Sequence, residues 1–427
     1  MNATTLRFGV GPTVVRPRQE VTGYATTAPA VLSVAAAIIF LPLIKPSGPA
    51  NLGPVDPFIA GAILMVLLWA GTVGSTLHAP FALSMLTFVG AGAIAALSGP
   101  VPLEGFFAIV QDIVLLGWCL ALVNLGSSPT ALTTVVRVWA ASAVLWAIVL
   151  IAGVTAGIDA ISGRSATTGA RASLTLGDPN VAATFFFIGF MLVWASKWPR
   201  NALLRGIGYL AILWAVLLTG SNGGVLVTVA GIAIAAIAGV WRRWGILVAI
   251  AAGTATVLIG GSLVMFLDTA SLQQWAQASD SQVIRDGLGR SSSSADDRQV
   301  LFGESMALYK TGGILGRGPR STKHVLAQEQ APRIKEAHND YAAALVERGI
   351  LGAVALSLLV GSVIFRSVAI VGDNTNSAYE EAIPRPQALL GAVAGCLVAG
   401  MFYEVLHFRH VWALFGVVGA MYLWGRR

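Results

Sequence analysis

The sequence predicts an all-α polytopic membrane protein with about twelve transmembrane helices and one large extracytoplasmic loop containing short helices. Three observations carry this expectation. Of 427 residues, 56% are hydrophobic and only 11% charged, with a mean hydropathy of +0.76, a balance that no water-soluble domain of this length sustains. The apolar residues gather into runs close to the ~20 residues needed to cross a hydrocarbon core. The lysines and arginines gather in alternate short loops, as expected when cationic segments are retained on the cytoplasmic side.

In chain order, residues 1–27 form a tail with Arg7, Arg16 and Arg18, but no adjacent apolar core with a cleavage site, so the first apolar run reads as a retained anchor. Residues 28–266 hold nine candidate spans, centred on 28–44, 57–77, 81–98, 104–125, 132–156, 180–196, 203–220, 223–240 and 244–266. Residues 267–340 form the large loop, and 341–427 hold the last three spans, at 341–365, 386–406 and 410–425. With the N-terminus inside, the cytoplasmic loops carry Lys197, Arg200, Arg205, Arg242, Arg243, Arg366 and Arg385, whereas the opposite short loops hold only Lys45, Arg164, Arg171 and Arg409. This bias puts both termini in the cytoplasm of a bacterial inner-membrane protein and the long loop outside. Cys119 and Cys396 lie in apolar runs with no metal spacing and read as buried thiols. The net charge of +7 is spread over interhelical loops, which excludes nucleic acid as the natural partner and leaves membrane lipids.

A loop as long as 267–340 is uncommon unless it is functional. Within it, Ser294-Ala295-Asp296-Asp297 fits a capping box, and an amphipathic run from Arg298 to Lys310 is stopped by Gly312-Gly313, which predicts a short helix on the outer membrane face. From Glu336 the pattern turns helical again, placing His338 near a helix start, with Asn339 and Asp340 as its caps. The adjacent Asp296 and Asp297 point apart on a helix, so they do not make a metal pair, and His324, His407 and His410 lack clustered ligands. No metal or cofactor is expected. Polar residues collect at the same outer side: Gln111 and Asp112, Arg164, Arg171, Asp178 to Asn180, Ser221-Asn222, and the set Glu404, His407, Arg409 and His410 around the last outer turn. Ionisable groups at membrane depth are costly and are functional candidates, although each read singly is also an interfacial side chain reaching for headgroups.

Four pieces stand in order between Arg298 and Gly352: Arg298 ahead of a helix, then Gly312-Gly313-Ile314-Leu315-Gly316-Arg317-Gly318-Pro319, then Ala337-His338-Asn339-Asp340-Tyr341, then Leu345-Val346-Glu347-Arg348-Gly349-Ile350-Leu351-Gly352. As a set they resemble the O-antigen ligase and Wzy-type polymerase superfamily, whose members show an arginine ahead of a helix, a "PLLGxG"-like turn and an "HNxYL…EGILG"-like helix start. Upstream, Arg171 to Asn180 is similar to the family's "R-x-S-G-x-F-x-N-P-N" loop, and Leu218 to Gly224 to its "LTxSRGG" turn, with Asn222 where the family has arginine. The resemblance implies a glycosyltransferase C-like membrane enzyme. It would move a glycan from a polyprenyl, undecaprenyl-type pyrophosphate to an acceptor hydroxyl, without metal and with inversion, as in lipopolysaccharide and polysaccharide biosynthesis.

The chemistry required by such a reaction selects the same residues. A diphosphate leaving group needs positive charge, which arginine supplies through paired hydrogen bonds. Arg298 is the candidate catalytic arginine, with Arg171, Arg317, Arg320, Arg164, Lys45 and Asn222 as candidate substrate-binding residues. An acceptor hydroxyl must lose a proton, and His338 is the candidate base, kept neutral by the positive end of its helix. Asparagine at 222 cannot supply charge to a phosphate, a loss for which Arg164, Arg171 or Lys45 would compensate. A lipid A core as acceptor makes a ligase, and a growing glycan makes a polymerase; the altered position 222 tilts slightly toward ligase. The rival of another class is a transporter with Asp112 and Glu404 as ion relays, against which the chain shows no repeated halves.

Overall fold

The computed structural model describes residues 24–43, 52–165, 169–266, 269–281, 284–285, 291–330 and 337–426. The first ten helices are α1 (Tyr24–Ile39), α2 (Asp56–Thr72), α3 (Ala82–Ser98), α4 (Pro102–Leu125), α5 (Pro129–Thr155), the single turn α6 (Asp159–Ser162), α7 (Pro179–Ser196), α8 (Ala202–Leu218), α9 (Asn222–Trp244) and α10 (Ile246–Phe266). The large loop contributes α11 (Thr269–Ala278), α12 (Ser291–Gly312) and α13 (Ser321–Gln328), followed by α14 (Asp340–Gly372), α15 (Gln387–Ala399) and α16 (Arg409–Trp424). Among the described residues the only β pairing is two isolated bridges, Ser165 with Gly169 and Thr375 with Arg426.

A helix occupies each of the apolar stretches read from the sequence, and five of them, α4, α5, α7, α9 and α14, are long and apolar enough to cross a membrane. Most start at a sequence signal. Proline stands at the first turn of α2, α4, α5 and α7, where its missing N–H costs nothing, and Ser128, Asp178, Asn201 and Ser221 cap α5, α7, α8 and α9. Three boundaries differ from expectation. α12 begins at Ser291, so Ser294 to Asp297 lie inside the helix and are not its cap. α14 runs on past Arg366 to Gly372, with Arg366 and Ser367 bonding back to the Ser362 and Val363 carbonyls of the same helix. α15 ends at Ala399, and residues 400–406, read as helix for their hydropathy, form an irregular turn tucked into the protein.

Helix packing centres on α14, which lies against α3, α12, α15 and α16, while α16 packs on α4 and α15 on α9. Small residues allow the closest of these approaches. A Cβ on Gly391 of α15 would collide with the Gly231 carbonyl of α9 and lie 2.7 Å from the Ala235 side chain. At one end of the bundle Arg409, at the start of α16, makes a two-pronged bond to Asp56 at the start of α2, with Nε and Nη2 donating at 2.8 and 2.7 Å. At the other end Glu381 accepts from both Arg137 and Arg200, at 2.7 and 2.8 Å.

Candidate active site

The loop segment that carries the motif is held by a break in α14. Gly349 has φ 66° and ψ −165°, a conformation essentially confined to glycine, and the helix is interrupted there. A helix interruption orphans backbone groups. Here the Gly313–Pro319 turn satisfies them: Arg317 N–H donates to Val346 O and Gly318 N–H to Glu347 O, both at 2.9 Å, while Ile350 N–H donates to Ile314 O at 3.0 Å. The fit is too close for a side chain, since a Cβ on Gly316 would lie 2.7 Å from the Glu347 carbonyl oxygen. The buried Glu347 carboxylate extends the junction, accepting from Arg320 N–H at 3.0 Å and from the Thr322 hydroxyl at 2.8 Å. Arg320, left-handed at φ 63°, then reaches α4, where Nη2 donates to Gln111 Oε1 at 2.7 Å.

Below this junction Arg348 pairs with Asp112 at 2.6 Å, with both side chains only 4% exposed. Its guanidinium lies 3.9 Å from the Phe88 ring centroid and also donates to Phe88 O at 3.3 Å. Breaking one member of a buried pair strands the other's charge, so the pair ties α14 to α3 and α4. Sequence reading noted Asp112 but treated Arg348 as a motif letter. The available signal was the only basic residue inside the apolar stretch 341–365.

His338 precedes the cap of α14 and is half-buried at φ 49°. Asn339 is the cap, its Oδ1 accepting from the N–H groups of Tyr341 and Ala342 at 2.9 and 3.0 Å. Asp340 does not cap. Its buried carboxylate accepts from Val405 and Leu406 N–H at 2.9 and 3.3 Å, and its own N–H donates to Gly400 O at 2.9 Å. Asn339 Nδ2 adds a bond to Met401 O at 3.1 Å. The residues next to His338 are thus seated on the turn 400–406, which explains why that apolar turn is not helical: its N–H groups have a side-chain acceptor elsewhere.

The same turn reaches the upstream motifs. Tyr403 packs against Gly223, and its hydroxyl accepts from Thr184 at 3.4 Å. Ser221 caps α9 through Gly224 N–H at 3.0 Å while donating to Asn180 Oδ1 at 2.7 Å. Arg171 lies over Gly220, with Nε donating to Thr219 O at 3.2 Å, so an arginine from the α6–α7 connection stands beside the turn that carries Asn222. Arg164 instead closes its own loop on Ala170 O at 3.0 Å.

Glu404 and His407, on the same turn, form a pair at 3.4 Å. Burial disfavours a charged His407 ring, yet the hydrogen bond and charge of Glu404, reinforced by Asp112 and Asp340, outweigh it and raise the group above its ordinary value of 6.5. A raised folded-state value stabilises fully below the unfolded value and loses that contribution as pH rises through the folded one. The melting-temperature gap between the wild type and His407→Gln is therefore expected to be widest below pH 6.5 and to close above it; a gap that widens with rising pH would reverse this assignment.

Several candidates do not join this set. Arg317 points back to α12, with Nε on Leu308 O at 3.2 Å and Nη2 on Thr311 Oγ1 at 2.6 Å, and lines a separate hollow. Arg409 is committed to Asp56, and His410 is fully buried between Phe185 and Phe408, so neither is presented by the last outer turn. The side chain of Arg298, on α12, and the whole of Lys45 lie outside the described residues. Among the described residues no three His, Cys, Asp or Glu side chains cluster as metal ligands do.

No curated protein matches the chain. A family model described as O-antigen ligase matches residues 207–357, from α8 through the large loop to the middle of α14. It takes in the α8–α9 turn, the helix bearing Arg298, the Gly313–Pro319 turn, His338 and the Gly349 break, and over that segment the chain is similar to the O-antigen ligase family.

Proposed function

We propose that the chain transfers a glycan from a polyprenyl, undecaprenyl-type pyrophosphate to an acceptor hydroxyl at the extracytoplasmic face of a bacterial inner membrane, as a ligase. The observation that carries this reading is that the O-antigen ligase match holds Arg298, Arg320 and His338 in one stretch. The family implies ligase- or polymerase-like glycosyl transfer between lipid-linked and glycan or lipid partners. In the proposed step a ring nitrogen of His338 takes the acceptor hydroxyl proton and the oxygen attacks the anomeric carbon. The bond from that carbon to the diphosphate breaks, and its electron pair leaves on the phosphate oxygen. Arg298 and Arg320, with Arg171 from the upstream loop, hold the diphosphate as charge builds on it. Arg171 lies against Gly220, two residues before Asn222, and would supply the charge that asparagine lacks. One displacement inverts the anomeric centre and needs no metal and no protein nucleophile. The full topology would have twelve spans, with both termini inside.

Reconstitution of the purified protein with a defined undecaprenyl-pyrophosphate oligosaccharide tests this. Transfer to a lipid A core acceptor, unchanged by chelator and with inverted linkage, is the expected result. Elongation of the donor glycan with the lipid acceptor untouched would make it a polymerase, and flux of intact donor across the vesicle without transfer would make it a transporter.

A further inference from the structure

Arg317 and Arg320 stand three residues apart in one motif, yet their side chains leave in different directions. Arg320 turns inward to Gln111, while Arg317 lines a hollow of about 350 Å³ between the end of α3 and the Gly313–Pro319 turn, bounded by Ser98, Pro100, Thr311 and Leu315. Of the five N–H groups a guanidinium carries, Arg317 spends one on Leu308 O and one on Thr311 Oγ1, and no carboxylate among the described residues pairs with it. Arg348, on the helix that the turn packs against, is by contrast neutralised by Asp112. The aliphatic side chains that line the hollow face outward: Ile314 is 72% exposed and Leu315 56%. An uncompensated arginine inside a cavity whose lip is made of exposed aliphatic side chains matches a molecule that is anionic at one end and hydrocarbon at the other.

We propose that this hollow binds the headgroup phosphate of a membrane lipid other than the glycan donor, with the phosphate on Arg317 and the acyl chains along Ile314 and Leu315. The turn that forms the hollow is the one whose backbone fills the Gly349 break, so an occupied hollow also steadies the seat of Arg320 and Glu347.

The test uses the full-length protein in detergent, titrated with short-chain phosphatidic acid, with the matching diacylglycerol and with glycerol phosphate, and read by native mass spectrometry. Saturable binding of phosphatidic acid over the other two is expected. Arg317→Gln should weaken it about tenfold, the scale of one charge-assisted hydrogen bond, and Arg320→Gln should leave it unchanged. Phosphatidic acid binding that ignores Arg317→Gln overturns the proposal. So does an equal loss in Arg320→Gln, which would make the hollow an arm of the donor site. Should Arg317→Gln fail to fold, the double variant Ile314→Ser, Leu315→Ser carries the same comparison, with weakened phosphatidic acid binding expected and unchanged binding contrary. The readout does not involve transfer, so failure of the proposed glycan chemistry would leave the binding result standing.

Discussion

His338→Ala is expected to leave the chain folded and able to bind the lipid-linked donor while product formation falls by about 10²- to 10⁴-fold, the contribution usual for a positioned general base. The backbone at this position complicates a simple reading, because His338 holds φ 49°, a left-handed conformation that alanine adopts reluctantly. Loss of rate in the alanine variant therefore mixes a missing imidazole with a displaced chain. His338→Asn separates the two, since asparagine tolerates the left-handed region and keeps a polar side chain without a comparable base. Both variants should bind donor as the wild type does, and both should lose turnover. If His338→Asn turned over at a near-normal rate while His338→Ala did not, the residue would be acting through its backbone alone, and the proton would have to go elsewhere.

Gly349→Ala is expected to cost about 3–5 kcal/mol, from ~1–3 kcal/mol of backbone strain plus lost hydrogen bonds worth about 1 kcal/mol each. The new methyl group would collide with the Ile314 carbonyl oxygen and lie 2.6 Å from the Leu315 carbonyl carbon, so the Gly313–Pro319 turn must lift off the helix. With it go the bonds from Arg317 and Gly318 N–H, and the Glu347 carboxylate that holds Arg320 loses its register. A lower melting temperature in detergent and loss of transfer are the expected readouts. Gly361→Ala is the control, because it lies on the same helix with nothing within 4 Å of its Cβ position and should be neutral or slightly stabilising. A Gly349→Ala protein that melts with Gly361→Ala would mean that the break is not needed for stability.

The helices were legible because apolar runs and N-terminal signals are local properties. The spans read from 104 and 132 begin in the structure within three residues, at Pro102 and Pro129, and Asn339 is visible as a cap two positions before Tyr341. What was not legible depends on partners distant in the chain. Gly349 reads as an ordinary glycine in an apolar helix until the Gly313–Pro319 turn is seen to donate to the Val346 and Glu347 carbonyls that the break orphans. Residues 400–406 are apolar enough to read as helix, and only the Asp340 carboxylate, more than sixty positions earlier, accounts for their irregular backbone. Hydropathy cannot tell a buried turn from a membrane span when both are made of Met, Phe, Tyr, Val and Leu. The motif arginines were found by type and order, but their directions were not: Arg320 is set by its left-handed backbone and the Glu347 contact, and Arg317 by the end of α12.

The Arg348–Asp112 pair carries a consequence for biogenesis. Its members are 236 positions apart, so a ribosome delivers α4 with its acid to the insertion machinery long before the matching base has been translated. An unpaired ion in hydrocarbon is costly, so until α14 arrives the nascent chain must hold Asp112 near the interface. Completion of α14 is then the step that commits the bundle, and polypeptides truncated ahead of it carry an uncompensated acid that membrane quality control can recognise.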